Sequence, residues 1–326
     1  MPDRQVIAAV GAGRMGRGMA VAFAYSGHPV RLIDAKERDA AGFEALSGAA
    51  LAEVRAALEM LAGFGLLELA EVEGVAARVS CHPRSEMAEA LKDVPVVFEG
   101  VPETVPAKEE ALGLIAAHAP ASAIIASTTS TILSNDLQGF VTHPERFLNA
   151  HWLNPAYLVP LVEVSPGAQT APEITERLNT LLESIGKVPV VCAASPGYIV
   201  PRIQMLAMNE AARMVEEGVA SAEDIDKATK YGFGFRFAVL GFLEFIDWGG
   251  GDILCYASEY MKGATGQDRF DAPKIVQDNM AQGRRGLRDG QGFMDYDGMD
   301  VAAYQKARIG AFAAMLRHLD KLPVKG

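Results

Sequence analysis

The 326-residue sequence predicts an α/β chain in which a doubly wound parallel sheet is followed by an all-α C-terminal domain. Three observations carry this. Over roughly the first 190 residues, short apolar β-branched runs alternate with helical patterns, the signature of strands separated by crossover helices. The stretch Ala193-Ala194-Ser195-Pro196-Gly197 then interrupts the alternation. Beyond it the patterns are almost wholly helical, so the expected division is 1–193 and 194–326.

The first strand is read over Gln5 to Val10, and it runs directly into Gly11-Ala12-Gly13-Arg14-Met15-Gly16, ahead of an amphipathic helix from Arg14 to Tyr25. Three glycines at that spacing, between a buried strand and a helix, form a dinucleotide cradle of Rossmann type. The first permits the tight turn, Gly13 lets the backbone approach a pyrophosphate, and Gly16 lets the helix pack on the strand. The helix N-terminus then offers unpaired N–H groups to phosphate. The second strand, Pro29 to Ile33, ends at Asp34, about 20 residues past the glycines, where a carboxylate accepts ribose hydroxyls and repels a 2′-phosphate. NAD is therefore the expected cofactor, with Arg31, Lys36 and Arg38 flanking the acid. Next come an Ala/Leu/Glu-rich helical excursion over 40–69 and strands at 95–99, 123–127, 146–150 and 188–192. Helices follow from Ile203 to Glu217 and, capped by Ser221, to Tyr231.

Composition narrows the class. Half the residues are hydrophobic, enough for a sizeable core, yet no apolar run reaches the ~18 residues of a membrane span. Met-Pro-Asp-Arg opens no signal peptide, and the expected location is cytoplasmic. Cys81, Cys192 and Cys255 are far apart, which points to neither a disulfide framework nor a metal site. A net charge of −11 without a Lys/Arg block argues against nucleic acid or an anionic membrane as partner, and leaves a small-molecule substrate.

Chemistry is sought where strands end, because ligands of open α/β sheets bind at the carboxyl edge. Ser127-Thr128-Thr129-Ser130-Thr131 follows one strand, with hydroxyls expected to face the cofactor. His151-Trp152-Leu153-Asn154-Pro155 follows another, and Glu163 stands in the apolar run Leu161-Val162-Glu163-Val164. A carboxylate there is expensive to bury unless paired. Pairing with His151 would make the imidazole a general base for an alcohol proton. A structural ion pair, or an edge-strand Glu facing water, is the alternative reading of the same spacing.

Together these segments resemble the 3-hydroxyacyl-CoA dehydrogenases over essentially the whole chain. The matching motifs are Gly11-x-Gly13-x-Met15-Gly16, Val101-Pro102-Glu103 with Lys108, the Ser-rich strand end, His151-x-x-Asn154-Pro155, Leu161-Val162-Glu163-Val164, Pro196-Gly197-Tyr198 and Gly290-Gln291-Gly292-Phe293. The resemblance implies a His151–Glu163 catalytic dyad, Ser130 on the reacting oxygen, and Asn154 beside them. It also implies a cofactor set of Gly11, Gly13, Arg14, Met15, Gly16, Asp34, Glu103, Lys108 and Ser127. The implied reaction is reversible NAD-dependent oxidation of a 3-hydroxy group, with a helical domain that makes a homodimer contact.

Two departures bear on the substrate. Where the family usually has Gly-Phe-x-x-Asn-Arg, this chain reads Gly197-Tyr198-Ile199-Val200-Pro201-Arg202, so either Asn154, Asn209 or Arg202 takes the role of the missing amide or the substrate does not need it. The segment Asn154-Pro155-Ala156-Tyr157 through Leu161 is more similar to the branch acting on free hydroxy acids, such as L-gulonate and carnitine dehydrogenases, than to the acyl-CoA branch. Phe235-Arg236-Phe237-Ala238 resembles that branch too, and Arg236 would pair with a free carboxylate; a solvated helix-surface Arg is the plainer reading. The surrounding aromatics, Tyr231 to Trp248, read as domain core before substrate cage. A short similarity of Asp247 to Ile253 to an NAD enzyme of pyridine-carboxylate breakdown is a lesser lead. The substrate is thus a hydroxy acid or an acyl-CoA, and the alternative function is a catalytically weak NAD-binding relative of the crystallin kind.

Overall fold

In a computed structural model, which describes residues 4–323, the chain forms two compact units, one ending at Ala207 and one beginning at Met208, with the division inside the helix Val200–Glu216. The first unit is built on a sheet of β1 (Ile7–Val10), β2 (Val30–Ile33), β3 (Val79–His82), β4 (Val96–Glu99), β5 (Ile124–Ser127), β6 (Phe147–Trp152), β7 (Leu161–Pro166) and β8 (Val188–Val191). Their spatial order is β3-β2-β1-β4-β5-β6-β7-β8. β1 to β6 are mutually parallel, β7 runs antiparallel to β6, and β8 lies parallel to β7. The doubly wound parallel sheet read from the sequence is present, with one antiparallel pairing between β6 and β7. No helix intervenes between β6 and β7, and so short a connection cannot return the chain for a parallel crossover.

Three boundaries differ from the sequence reading. β3 escapes it because Val79-Ser80-Cys81-His82 is short and half polar. β6 extends to Trp152, so His151 lies within the strand and not at its end. The long helix stops at Gly63, short of Leu69, where the chain turns through Gly65 at φ +71°.

Alternation along the strands feeds two cores. Ile7 and Ala9 of β1 face one side of the sheet, and Ala8 and Val10 the other. On the first side Phe23 of helix α1 (Arg14–Tyr25), Phe98 of β4 and Trp152 of β6 meet with ring centroids 5.5–5.8 Å apart. Truncating any of these would cost on the order of 3–5 kcal/mol, so α1, β4 and β6 are tied together by one buried aromatic cluster. Helix α2 (Ala40–Gly63) adds the stripe Ala50, Val54, Leu58 and Leu61, and is capped by the Asp39 carboxylate on the Gly42 amide at 2.8 Å. Strand order reverses between β1 and β4, which opens a crevice at their carboxyl ends.

The second unit is helical, with main segments Ala222–Ala228, Phe242–Gly249, Gly251–Thr265, Lys274–Ala281 and Val301–His318. Ser221 caps the first of these, as read from the sequence. Asp247, read there as a helix-end residue, has a larger task. It is buried and accepts from the amides of Phe293 and Met294 and the Tyr296 hydroxyl, pinning the Gly290-Gln291-Gly292-Phe293 loop. A Cβ on Gly292 would lie 2.1 Å from the Asp247 carboxylate, which explains that glycine. The rings of Phe233, Phe237, Phe242 and Phe245 pack on one another, but Phe233 and Phe242 are exposed and the other two only half-buried, so the cluster is not the buried domain core read from the sequence.

Candidate active site

The crevice at the ends of β1 and β2 holds a cleft of about 360 Å³ lined by Gly11, Gly13, Asp34, Lys36, Arg38 and Gly100. Its glycines differ in kind. Gly11 has φ +110°, and a Cβ there would lie 2.5 Å from the Gly100 carbonyl; a Cβ on Gly16 would lie 2.1 Å from the Gly11 carbonyl. Both are demanded by the backbone itself. Nothing stands within 4 Å of a Cβ on Gly13, so its bareness leaves room for something the protein does not supply. That cradle, opening at the start of α1, fits the pyrophosphate of a dinucleotide.

Asp34 is buried at the cleft wall. Its Oδ2 accepts from Arg38 Nε at 2.6 Å and its Oδ1 from the Lys36 amide at 3.1 Å. Each oxygen keeps a further lone pair for a ribose hydroxyl. Arg31 turns away to Asp93 and the Ala90 carbonyl. Met15 packs against the core. Arg14 lines a different, more apolar cleft of about 470 Å³, together with Asn154, Val54, Met60 and Tyr157, and does not border the one holding Asp34.

Next to this crevice lies a charged network. Glu99 and Lys108 are both fully buried, with Lys108 Nζ 3.1 Å from each Glu99 oxygen. Ser127, expected to face the cofactor, donates instead to Glu99 Oε2 at 2.6 Å. It ends the buried strand β5, so its hydroxyl is committed inside the protein. Lys108 is likewise turned inward, with the half-buried Glu103 carboxylate 3.3 Å away as its second partner. Glu103 Oε1 accepts from the amides of Ser130 and Thr131 at 2.9 and 3.0 Å, and from the hydroxyls of Thr129 and Thr131. Burial pushes the Glu103 carboxyl up, but the Thr129 bond, the Lys108 charge and the Thr131 bonds outweigh it and bring it down to about 2. Glu103 thereby shapes the 129–131 loop through its backbone and leaves the Ser130 hydroxyl without a hydrogen bond among the described residues.

His151 and Glu163 are register partners on β6 and β7. His151 is 6% and Glu163 0% exposed, and Nδ1 lies 2.8 Å from Oε2. Glu163 Oε1 accepts from the amides of Ile199 and Val200 at 2.9 and 2.7 Å, at the start of the helix Val200–Glu216. Burial would raise the Glu163 carboxyl, yet the His151 bond and the two amides outweigh it and hold it below its ordinary range. An ionised carboxylate only accepts, so Nδ1 carries the proton and the Nε2 lone pair is left for chemistry. Pro201 falls in the first helical turn, where a missing N–H costs nothing. Arg202 follows it, its amide bonded to the Gly197 carbonyl at 2.9 Å. Two residues missed from the sequence belong here. Glu99 carried the same signal as Glu163, an acid in an apolar strand, and Tyr198 packs on His151 with ring centroids 5.9 Å apart.

In the second unit, Arg236 Nε donates to the Gly232 carbonyl at 3.1 Å, and its guanidinium lies 5.1 Å from the Phe245 ring centroid.

Comparison with known proteins places the chain in a family. Residues 6–195 match the 3-hydroxyacyl-CoA dehydrogenase NAD-binding domain, and residues 197–296 match the C-terminal domain of the same family. The chain belongs to the 3-hydroxyacyl-CoA dehydrogenase family. As a member it is an NAD-dependent oxidoreductase with a Rossmann-type domain followed by a helical one. It is 31% identical over 316 residues, 96% of this chain and 98% of the relative, to a 5-formyl-3-hydroxy-2-methylpyridine 4-carboxylate 5-dehydrogenase of Mesorhizobium japonicum. It is 33% identical to the 3-hydroxyadipyl-CoA dehydrogenase of Escherichia coli over 91% of this chain and 60% of that protein. Among solved structures, a 3-hydroxyacyl-CoA dehydrogenase from Archaeoglobus fulgidus matches with a TM-score of 0.76 and 30% identity, over 98% of this chain and all of that one.

Proposed function

We propose that this family member oxidises the 3-hydroxy group of a β-hydroxy carboxylic acid to the ketone, with His151 as general base. The observation that carries the reading is the buried 2.8 Å contact between His151 Nδ1 and an ionised Glu163. Bound NAD supplies the hydride acceptor; Gly11, Gly13, Gly16 and Asp34 would hold it. His151 Nε2 takes the hydroxyl proton, and Glu163 stabilises the resulting imidazolium and fixes its tautomer. Ser130 donates to the reacting oxygen as it becomes a carbonyl oxygen. Asn154 and Arg202 are the remaining candidates to orient the substrate, and Arg236 is the candidate partner for its carboxylate. Glu103, with Lys108 and Glu99 behind it, keeps the Ser130 loop in place.

A free acid is favoured over a CoA ester by the full-length similarity to a pyridine-carboxylate dehydrogenase and by 39% identity over 168 residues, 51% of this chain and 46% of that protein, to the L-carnitine dehydrogenase of Mesorhizobium japonicum. The CoA ester is the second reading, supported by the Archaeoglobus structure and the hydroxyadipyl-CoA relative. Incubating the protein with NAD and a panel of hydroxy acids and hydroxyacyl-CoA esters, read by NADH absorbance, tests both. NADH production lost in His151→Ala is the expected result. No turnover with any of them would favour the crystallin-like alternative, which is less supported. A homodimer is proposed as well, since Ile253, Tyr256 and Tyr260 line one exposed face of the helix Gly251–Thr265; light scattering reads it directly. A cytoplasmic location fits the three free cysteines.

A further inference from the structure

We infer that Tyr198 is a positioning residue that holds the His151 ring and the Ser130 loop in one arrangement. The inference rests on the reading above for what His151 and Ser130 do. Tyr198 is buried, with φ +44°, directly after Gly197 at φ +76°. A side chain is disfavoured in that left-handed region and a glycine would sit there freely, so the ring must answer a need elsewhere. It does so twice. Its face lies along the His151 imidazole at an interplanar angle of 29°, and its hydroxyl donates to the Ile132 carbonyl at 3.0 Å. Ile132 ends the loop that presents Ser130, and its own amide is held by Thr129 Oγ1 at 2.9 Å.

The next two residues give their amides to Glu163. Tyr198 therefore addresses the base and the hydroxyl loop, and residues 199 and 200 the carboxylate. A phenylalanine at this position would stack but would have no hydroxyl for the tether. Burial first, then the negative charges of Glu103 and Glu163, push the phenol above its ordinary range, so it stays a donor at working pH. Glu163 is the charged group bonded to His151; His151 itself, Glu103, Glu163, Asp136 and Cys192 are titratable groups around Tyr198.

Two variants separate the functions. Tyr198→Phe keeps the ring and deletes the tether, while Tyr198→Gly deletes the ring and relieves the backbone. The midpoint of His151 is read by NMR on protein carrying ¹³C-labelled histidine, with the signal assigned by its loss in His151→Gln. Loop order is read by amide hydrogen exchange over 128–133. For Tyr198→Phe, exchange there should speed by about tenfold or more, and kcat should fall by roughly tenfold with KM for NAD unchanged. Its His151 midpoint should stay in place. For Tyr198→Gly that midpoint should move by about half a pH unit or more. Unchanged exchange in Tyr198→Phe, or an unchanged His151 midpoint in Tyr198→Gly, overturns the inference. Neither of these readouts needs turnover, so a protein inactive on every hydroxy compound would sink the dehydrogenase reading and leave this one standing or falling by itself.

Discussion

The Val200 amide donates at 2.7 Å to Glu163 Oε1, the oxygen that does not bond His151. One carboxylate thus serves a helix start with one oxygen and an imidazole with the other. This is how a Glu can be wholly buried in an apolar strand, since both oxygens are satisfied and the partial positive charge of the helix N-terminus adds to the stabilisation. It also links the base to the polypeptide that leaves the sheet.

His151 and Glu163 should behave as one unit. His151→Ala is expected to lower kcat by about 10²–10⁴-fold with little change in NAD affinity. Adding Glu163→Gln should cost little more, because Glu163 acts through the imidazole. Steady-state kinetics of the two single variants and the double variant check this, and strictly additive losses would refute it.

Acid should destabilise the protein through Glu103 and Glu163. Both have folded-state pKa values below the ordinary 4.5, that of Glu103 at about 2. Their stabilisation is complete above the unfolded value and is lost as pH falls through the folded one. The melting temperature should therefore fall between about pH 4.5 and 2, and Glu103→Gln should flatten that fall. An equally steep fall in the variant would count against the assignment.

The glycines of the cradle should separate by assay. Gly13→Ala has open space around its new methyl, so its melting temperature should match the parent's while the Kd for NAD rises by about tenfold or more. Gly16→Ala drives a methyl into the Gly11 carbonyl and should lower the melting temperature as well. Calorimetry for stability and for NAD binding gives both numbers.

Asp34 should set cofactor choice. Asp34→Ala is expected to raise KM for NAD far more than it changes kcat, and it frees Arg38 from its 2.6 Å pair. Equal catalytic efficiency of the unmodified protein with NADP would defeat the assignment.

Arg236 should decide the fate of a free carboxylate. If it pairs with the substrate acid, Arg236→Met abolishes selectivity between a hydroxy acid and its neutral amide, a loss on the order of 2–5 kcal/mol. Under the acyl-CoA reading the substitution matters little, and 3-hydroxybutyryl-CoA is used far better than free 3-hydroxybutyrate. Rates for both substrates with both proteins separate the two.

Local pattern alone determined the parallel strands of the sheet other than β3, the glycine cradle with Asp34, and Glu163 as a candidate site residue. Each of these depends on a few adjacent residues: a strand running into glycines, an acid at a strand end, a charge among valines. Tertiary structure alone decided that β7 reverses, which brings residues 12 apart in sequence into register as His151 and Glu163. It also decided that Ser127 and Lys108 turn inward to Glu99, that Arg14 borders the cleft of Asn154, and that Tyr198 bridges the base and the hydroxyl loop. The reason is physical. Helix and strand periodicity are written in neighbouring side chains, whereas strand direction, and which face of a loop is buried, depend on what the rest of the chain packs against it.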